Sequence, residues 1–150
     1  MLSKDFKEFA ELLDSNGVEY LIVGGYALAA HGRPRYTGDL DFWVGTEPVN
    51  AQRLLHALDQ FGFSSLGISV EDLTTSDNVI QLGFPPRRIA LLTSIDVAEF
   101  ASSFQRKMDV TMDGLTLHFI SLDDFKANKR ARGRLQDRAD LQSLGEDVPD

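Results

Sequence analysis

Residues 20–44 constrain the fold more than any other part of the chain. They read YLIVGGYALAAHGRPRYTGDLDFWV: a four-residue apolar run, a Gly-Gly pair, a short helix-favouring stretch closed by Gly32, and a second apolar run containing two aspartates. Short apolar runs bounded by turn residues predict buried strands, and the Gly-Gly pair predicts a break after the first of them. We therefore predict a strand, a short helix and a second strand at 39–44, in that order.

The two aspartates of the second strand share one face. Because side chains alternate along a strand, Asp39, Asp41 and Trp43 lie on one face and Leu40 and Phe42 on the other. Two carboxylates about 7 Å apart at their Cα atoms repel each other and lose hydration beside an apolar core. This placement indicates a cationic partner, and two carboxylates on one face suit Mg²⁺. In a purely structural alternative, both acids bond to backbone N–H groups.

The rest of the chain alternates between helical and strand patterns. This alternation predicts an α/β (α+β) fold, in which helices pack on a mixed central sheet. Residues 64–77 are predicted to form a loop with one short helix. Helices are predicted between Ser3 and Asn16, at about 48–61, at about 97–106, and in two segments between Ser121 and Leu144; strands are predicted at roughly 78–83 and 88–94 and in a hairpin at 107–120 with an Asp113-Gly114 turn.

Composition limits the class of protein. A chain of 150 residues that is 43% hydrophobic fits one domain spanning 1–150, with a basic helical segment at about 121–145. There is no cysteine, which excludes disulfides and thiolate metal sites. The N-terminus lacks the apolar stretch of a signal peptide, and no other segment is long and apolar enough to span a bilayer. We expect a cytoplasmic protein without a membrane partner.

Charge is unevenly distributed along the chain. The net charge of −8 argues against a protein that coats nucleic acid through its overall field. Residues 126–138 nevertheless contain six cations and one acid, a local charge of +5 that leaves −13 for the remainder. This segment is either a solvated helix face, which is the commoner case, or a surface through which nucleic acid binds.

The stretch LIVGGYALAAHGRPRYTGDLDFWV resembles the signature of the polymerase-beta-like nucleotidyltransferase superfamily, in which a Gly-Gly or Gly-Ser turn precedes a DxD strand. It is most similar to small single-domain prokaryotic members, including those of toxin-antitoxin and abortive-infection modules. Their Asn-Lys, Gly-Arg and spaced-Asp ending is echoed by NKRARGRLQDRADLQSL, and PPRRIALLTSI extends the resemblance. It implies a nucleotidyltransferase fold and transfer of an NMP from an NTP to a hydroxyl of RNA, protein or a small molecule, with a partner protein where the chain is half of a two-component system.

The resemblance also implies roles for individual residues. Asp39 and Asp41 would be the catalytic pair that holds Mg²⁺ or Mn²⁺. Gly24 and Gly25 would bind the triphosphate through their backbone N–H groups. The remaining nucleotide-binding candidates are Tyr26, which either lines the pocket or anchors the short helix, Arg35 and Thr37 just before the acids, and Lys129 in the C-terminal segment.

One position departs from the family pattern. A third carboxylate is expected on a neighbouring strand, and Ala90 stands in its place. Asp96 is either a substitute for this acid or the N-cap of the helix that follows, and capping is the commoner role for such a residue. The alternative function is therefore a catalytically impaired module that binds a nucleotide or a partner protein. Trp43 is interpreted as a packing residue and His31 as a capping or packing residue.

Overall fold

A six-stranded mixed sheet forms the centre of the protein. The computed structural model describes residues 3–33, 39–83, 88–96 and 98–146. Short apolar runs form the inner strands, as the sequence predicts. The strands are β1 Tyr20–Val23, β2 Asp39–Val44, β3 Val79–Leu82, β4 Arg88–Leu92, β5 Met108–Met112 and β6 Leu115–Phe119, arranged in the order β3-β4-β2-β1-β6-β5.

Seven helices are assigned within the described residues, and several have the predicted caps. The Ser3 hydroxyl accepts a hydrogen bond from the Phe6 N–H at the start of α1, and Ser121 caps α6 through the Asp124 N–H. Gly133, with φ +62°, ends α6 in the left-handed conformation. The helices are α1 Lys4–Ser15, α2 Gly24–Ala30, α3 Pro48–Phe61, α4 Val70–Thr74, α5 Phe100–Gln105, α6 Leu122–Arg132 and α7 Leu135–Ser143, with a 3₁₀ turn at Ser64–Leu66.

The predicted start of α5 is wrong. The helix begins at Phe100, and Glu99 occupies the N-cap position, so Asp96 does not cap it. The helix starts where its aromatic side chains reach the sheet: the Phe100 and Trp43 ring centroids are 5.2 Å apart, with the rings edge to face. Because the chain must first leave β4 at Leu92 and cross to this position, Asp96 lies in the connection that precedes the helix.

The sheet separates two differently covered faces. On one face, Phe9 of α1 packs edge to face against Phe42 and Phe61, which joins α1 and α3 to the core. The opposite face carries the two aspartates and Trp43, which is only 1% exposed against α5 and therefore packs as predicted. The acids thus lie on the sheet face away from α1 and α3.

The mixed α/β fold class is confirmed. Segment 64–77 contains the 3₁₀ turn in addition to the one short helix that was predicted. His31 lies at the C-terminal end of α2, where its Nε2 is 3.0 Å from the Ile120 carbonyl oxygen, in agreement with a capping and packing role. Of the helices in the described ranges, none is long and apolar enough to cross a membrane.

Candidate functional site

Asp41 lies against the glycine turn that ends β1. In the antiparallel β1–β2 pair, Asp41 is opposite Val23, so its carboxylate reaches the next residue, Gly24. Gly24 has φ +72°, and a Cβ at this position would overlap Asp41 Oδ2. Glycine is therefore required twice here, for its backbone conformation and for the close approach of the carboxylate. The sequence predicted both parts of this junction, and the structure brings them together.

Asp39 is held by an arginine from the neighbouring strand. Arg88 donates from Nε to Asp39 Oδ1 at 3.0 Å and from Nη2 to Oδ2 at 2.9 Å, a bidentate pair. The hydrogen bond to Asp39, reinforced by the charges of Asp39 and Asp41, raises the pKa of Arg88. Arg88 is therefore a permanent cation on Asp39, and the prediction of a divalent ion at the two acids stays a prediction.

Ala90 lies directly beside Asp41. Strands β2 and β4 are parallel, and their register pairs Asp39 with Arg88 and Asp41 with Ala90. Side chains paired in this way share one face of the sheet, so a methyl group, 5% exposed, occupies the place next to the Asp41 carboxylate. We call Asp39, Asp41, Arg88 and Ala90 the acidic strand site. A third carboxylate from β4 is absent at this register position.

Asp96 does not replace the missing acid. It follows β4 by four residues, whereas Ala90 lies within the strand, so it is well beyond the level of Asp41. It instead borders a cavity of about 190 Å³ whose lining includes Asn78 and Asn128. Among the residues that the structure describes, no three His, Cys, Asp or Glu side chains are grouped to hold a metal ion. The donor set of the acidic strand site fits one Mg²⁺ completed by water and phosphate oxygens, and it does not fit a three-carboxylate centre.

The predicted nucleotide-binding residues near the turn are partly brought together. Gly24 and Gly25 form the first turn of α2, immediately beside Asp41. Tyr26 packs edge to face on Phe6 with ring centroids 5.8 Å apart, which favours the anchoring role over the pocket role. Arg35 and Thr37 lie outside the described residues.

Lys129 is placed in a buried cluster between α6 and α7. Its side chain is 4% exposed, and Nζ lies 3.1 Å from Asp137 Oδ1 and 3.2 Å from Asp140 Oδ2. Arg134 also donates to Asp137, from Nε to Oδ2 at 2.7 Å. We call Lys129, Arg134, Asp137 and Asp140 the α6–α7 ion cluster. The prediction that Lys129 contacts phosphates stays a prediction, and the structure gives its ammonium two carboxylate partners.

Electrostatics distinguish the members of this cluster. Burial raises the pKa of Asp137, but hydrogen bonds from Arg134 and Lys129 outweigh it and lower the pKa to about 2. The pKa of Arg134 is raised, chiefly by its hydrogen bond to Asp137 and also by the charges of Asp140 and Asp41. The Arg134 side chain is 56% exposed. The charge of Asp41 thus links Arg134 of the ion cluster electrostatically to the acidic strand site, and the Arg134 guanidinium remains accessible to solvent.

Sequence reasoning missed Arg88 and Arg134 as site residues. A signal for Arg88 existed: Arg88 and Ala90 have the same two-residue spacing as Asp39 and Asp41, so parallel strands in register place Arg88 beside an acid. Arg134 had a weaker signal, since it is one cation among six in the basic segment. Only the fold shows which of the six faces the acids.

Most cations of the basic segment have intramolecular partners. Lys126 and Arg130 both pair with Glu146, at 2.7 and 2.6 Å. Lys129 and Arg134 belong to the α6–α7 ion cluster. Glu146 and Asp140, which lie outside residues 126–138, therefore offset part of the local charge of +5, and the segment keeps a net positive charge.

Of three comparisons with known proteins, the one with solved structures found a protein of similar fold. No protein-family model and no curated protein sequence matches the chain. Among solved structures, the chain is similar to a "putative nucleotidyltransferase" from Thermotoga maritima, with a TM-score of 0.63 and 13% sequence identity over 93% of this chain and 89% of that one. At this identity the similarity establishes the architecture alone. The chain has the general nucleotidyltransferase fold.

Proposed function

We propose that the protein is a metal-dependent nucleotidyltransferase, which transfers an NMP from an NTP to a hydroxyl acceptor. The observation that carries this proposal is the junction of Asp41 with Gly24. It joins a carboxylate pair to a glycine turn at the start of a helix, on a fold shared with a nucleotidyltransferase-like neighbour. The carboxylates would hold Mg²⁺ or Mn²⁺, and the turn would admit phosphate oxygens without a Cβ in the way.

Different residues of this chain would bind the metal ion and the nucleotide. Asp39 and Asp41 would provide the negative charge that holds the ion, and Gly24 and Gly25 would contact the triphosphate through backbone N–H groups. Arg134, an exposed cation whose pKa is raised in part by the charge of Asp41, is suited to phosphate contact because a guanidinium offers paired donors. Arg35, Thr37 and Lys129 remain candidates for phosphate contact from the sequence resemblance. The bound ion would neutralise the charge that develops as pyrophosphate leaves.

The alternative function is a catalytically impaired module that binds a nucleotide or a partner protein. Two observations favour it. Ala90 occupies the position beside Asp41, and Arg88 engages both oxygens of Asp39. The acidic strand site therefore has two carboxylates and, among its described residues, no separate group to accept the proton of an acceptor hydroxyl. Transfer would then be slow or absent while nucleotide binding persists.

Calorimetric titration of each of the four NTPs with Mg²⁺ tests the shared premise of both functions. The wild type is compared with Asp39→Asn/Asp41→Asn and with Asp59→Asn/Asp123→Asn, a control that makes the same charge change at two exposed helical positions away from the site. We expect metal-dependent binding that only the first variant loses. Equal loss in both variants, or no binding of any NTP to the wild type, would contradict the proposal.

Pyrophosphate release then separates the two functions. Wild type and Ala90→Asp are incubated with the bound NTP and with RNA or protein extract as acceptor. If the protein is an active enzyme, the wild type releases pyrophosphate. If it is an impaired module, only Ala90→Asp releases pyrophosphate, or neither form does.

A further inference from the structure

The acidic strand site is short of ligands for two metal ions. In two-metal centres the ions lie about 3.5–4 Å apart, so at least one carboxylate must serve both while others complete each shell. Here β2 contributes Asp39 and Asp41, and the neighbouring β4 contributes Arg88 and Ala90 at the paired positions. β4 thus supplies a methyl group and a cation on the face where a second ion would need oxygen ligands.

The position of Arg88 adds a charge argument. Its guanidinium bonds both oxygens of Asp39 at 2.9–3.0 Å, so a dication at this carboxylate would lie within a few ångströms of a fixed positive charge. Repulsion between cations at such distances is worth kilocalories per mole even near a protein surface. Arg88 offsets one negative charge of the carboxylate pair, which lowers the attraction of the site for a second dication.

We propose that the acidic strand site holds a single divalent ion, shared between Asp41 and the triphosphate, and that Arg88 provides at Asp39 the positive charge of the second ion. The proposal rests on the proposed function, since it concerns how that site takes its nucleotide. It goes further by assigning Arg88 a role in place of a metal.

Counting bound Mn²⁺ by electron paramagnetic resonance tests this directly. The protein is titrated with Mn²⁺ in the presence of a saturating, non-hydrolysable α,β-methylene triphosphate, so that no turnover is needed. We expect one Mn²⁺ per nucleotide complex in the wild type and two in Ala90→Asp. Ala90→Asn is the matched control, because it adds similar volume without charge and should still bind one ion.

Arg88→Gln provides a second, independent test that does not introduce a buried acid. If Arg88 replaces an ion, removing its charge should strengthen Mn²⁺ binding about tenfold or add a weaker second ion. If Arg88 instead only orients Asp39 as a metal ligand, the same substitution should weaken Mn²⁺ binding. The direction of the change therefore decides between the two roles even if Ala90→Asp fails to fold.

The outcomes separate this inference from the proposed function. Two Mn²⁺ ions in the wild type, or weaker Mn²⁺ binding in Arg88→Gln, would overturn the single-ion proposal and leave the nucleotidyltransferase proposal intact. Absence of nucleotide binding to the wild type would overturn both. One ion in the wild type, two in Ala90→Asp and one in Ala90→Asn would support both.

Discussion

The acidic strand site and the α6–α7 ion cluster both pair aspartates with basic side chains, but they differ in how far these side chains are buried. In the cluster, Asp137 and Asp140 are at most 1% exposed, and Lys129 lies between them. In the strand site, the Arg88 and Asp39 side chains are about 30% exposed, and a methyl group replaces a possible acid. Lys129 and the two aspartates of the cluster are enclosed by the fold, whereas Arg134 and the strand site are accessible to an incoming charged ligand.

This difference in burial indicates which of the two regions can take up a charged ligand. Buried charges with fixed partners contribute to a unique packing arrangement, since each unpaired member would be costly to bury. Partly exposed carboxylates such as Asp39, which Arg88 holds, have oxygens that can also bind water or ions. Arg134 bonds Asp137 at 2.7 Å, and the charge of Asp41 also raises its pKa, so the two regions are linked electrostatically through Arg134.

Removing Lys129 should cause the largest change in stability. In Lys129→Met, Asp137 and Asp140 stay buried without their ammonium partner, which costs roughly 3–5 kcal/mol. Urea unfolding of the purified variant measures this loss. Arg130→Met is the control, because the Arg130 side chain is 55% exposed and its ion pair is on the surface.

If Lys129→Met instead retains wild-type stability but loses nucleotide binding, the cluster is not structural. Its lysine would then contact phosphate, as the sequence resemblance implies. The comparison between the two regions would fail in that case.

Gly24→Ala tests the junction that carries the proposed function. Its φ of +72° disfavours any side chain, at a cost of about 1–3 kcal/mol, and the new Cβ would displace the Asp41 carboxylate. Gly32→Ala is the matched control, because Gly32 has φ +91° but a Cβ added there would meet no atom of the described residues within 4 Å. Both variants should lose similar stability from strain, and only Gly24→Ala should also lose NTP binding in calorimetry. Equal NTP binding by the two variants would remove Asp41 from the nucleotide site.

The sequence predicted the strand site better than the ion cluster, for a physical reason. Alternation along a strand is a local rule, so it placed Asp39 and Asp41 on one face without knowledge of the fold. The partners of Lys129 lie eight and eleven residues further along the chain, across the turn at Gly133, and their contact depends on how α6 packs on α7. The hydrophobic periodicity of the sequence does not predict the angle at which α6 packs on α7.

The same dependence on the whole fold explains why the sequence did not reveal Arg88 as a site residue and why the N-cap interpretation of Asp96 was wrong. Arg88 was visible only once the register of β2 and β4 was known, because pairing across strands is set by the whole sheet. The N-cap interpretation of Asp96 failed because the start of α5 is fixed by aromatic packing on Trp43 instead of by the first available capping side chain.

Acid should weaken the ion cluster in a defined pH range. The pKa of Asp137 is lowered from 3.8 to about 2 in the folded protein, so its stabilisation is complete above about pH 4 and is lost as the pH falls toward 2. The shift corresponds to about 2 kcal/mol. Unfolding free energies of wild type and Asp137→Asn, measured between pH 5 and pH 2, should converge by about this amount as the pH falls. A difference that is constant across this range would show that Asp137 titrates normally in the folded state.

Glu146→Gln should give the smallest effect on stability and tests whether the basic segment can bind nucleic acid. Glu146 pairs with Lys126 and Arg130 on the surface, so its neutralisation should leave the unfolding midpoint unchanged. The two freed cations would become available to phosphates. If the segment is an RNA surface masked by these ion pairs, the variant should bind an RNA oligonucleotide more tightly, with a salt dependence steeper by about one to two charges. Fluorescence anisotropy at several salt concentrations measures both quantities. If neither form binds RNA, the acceptor reaches the strand site without this segment, and the basic run serves the fold alone.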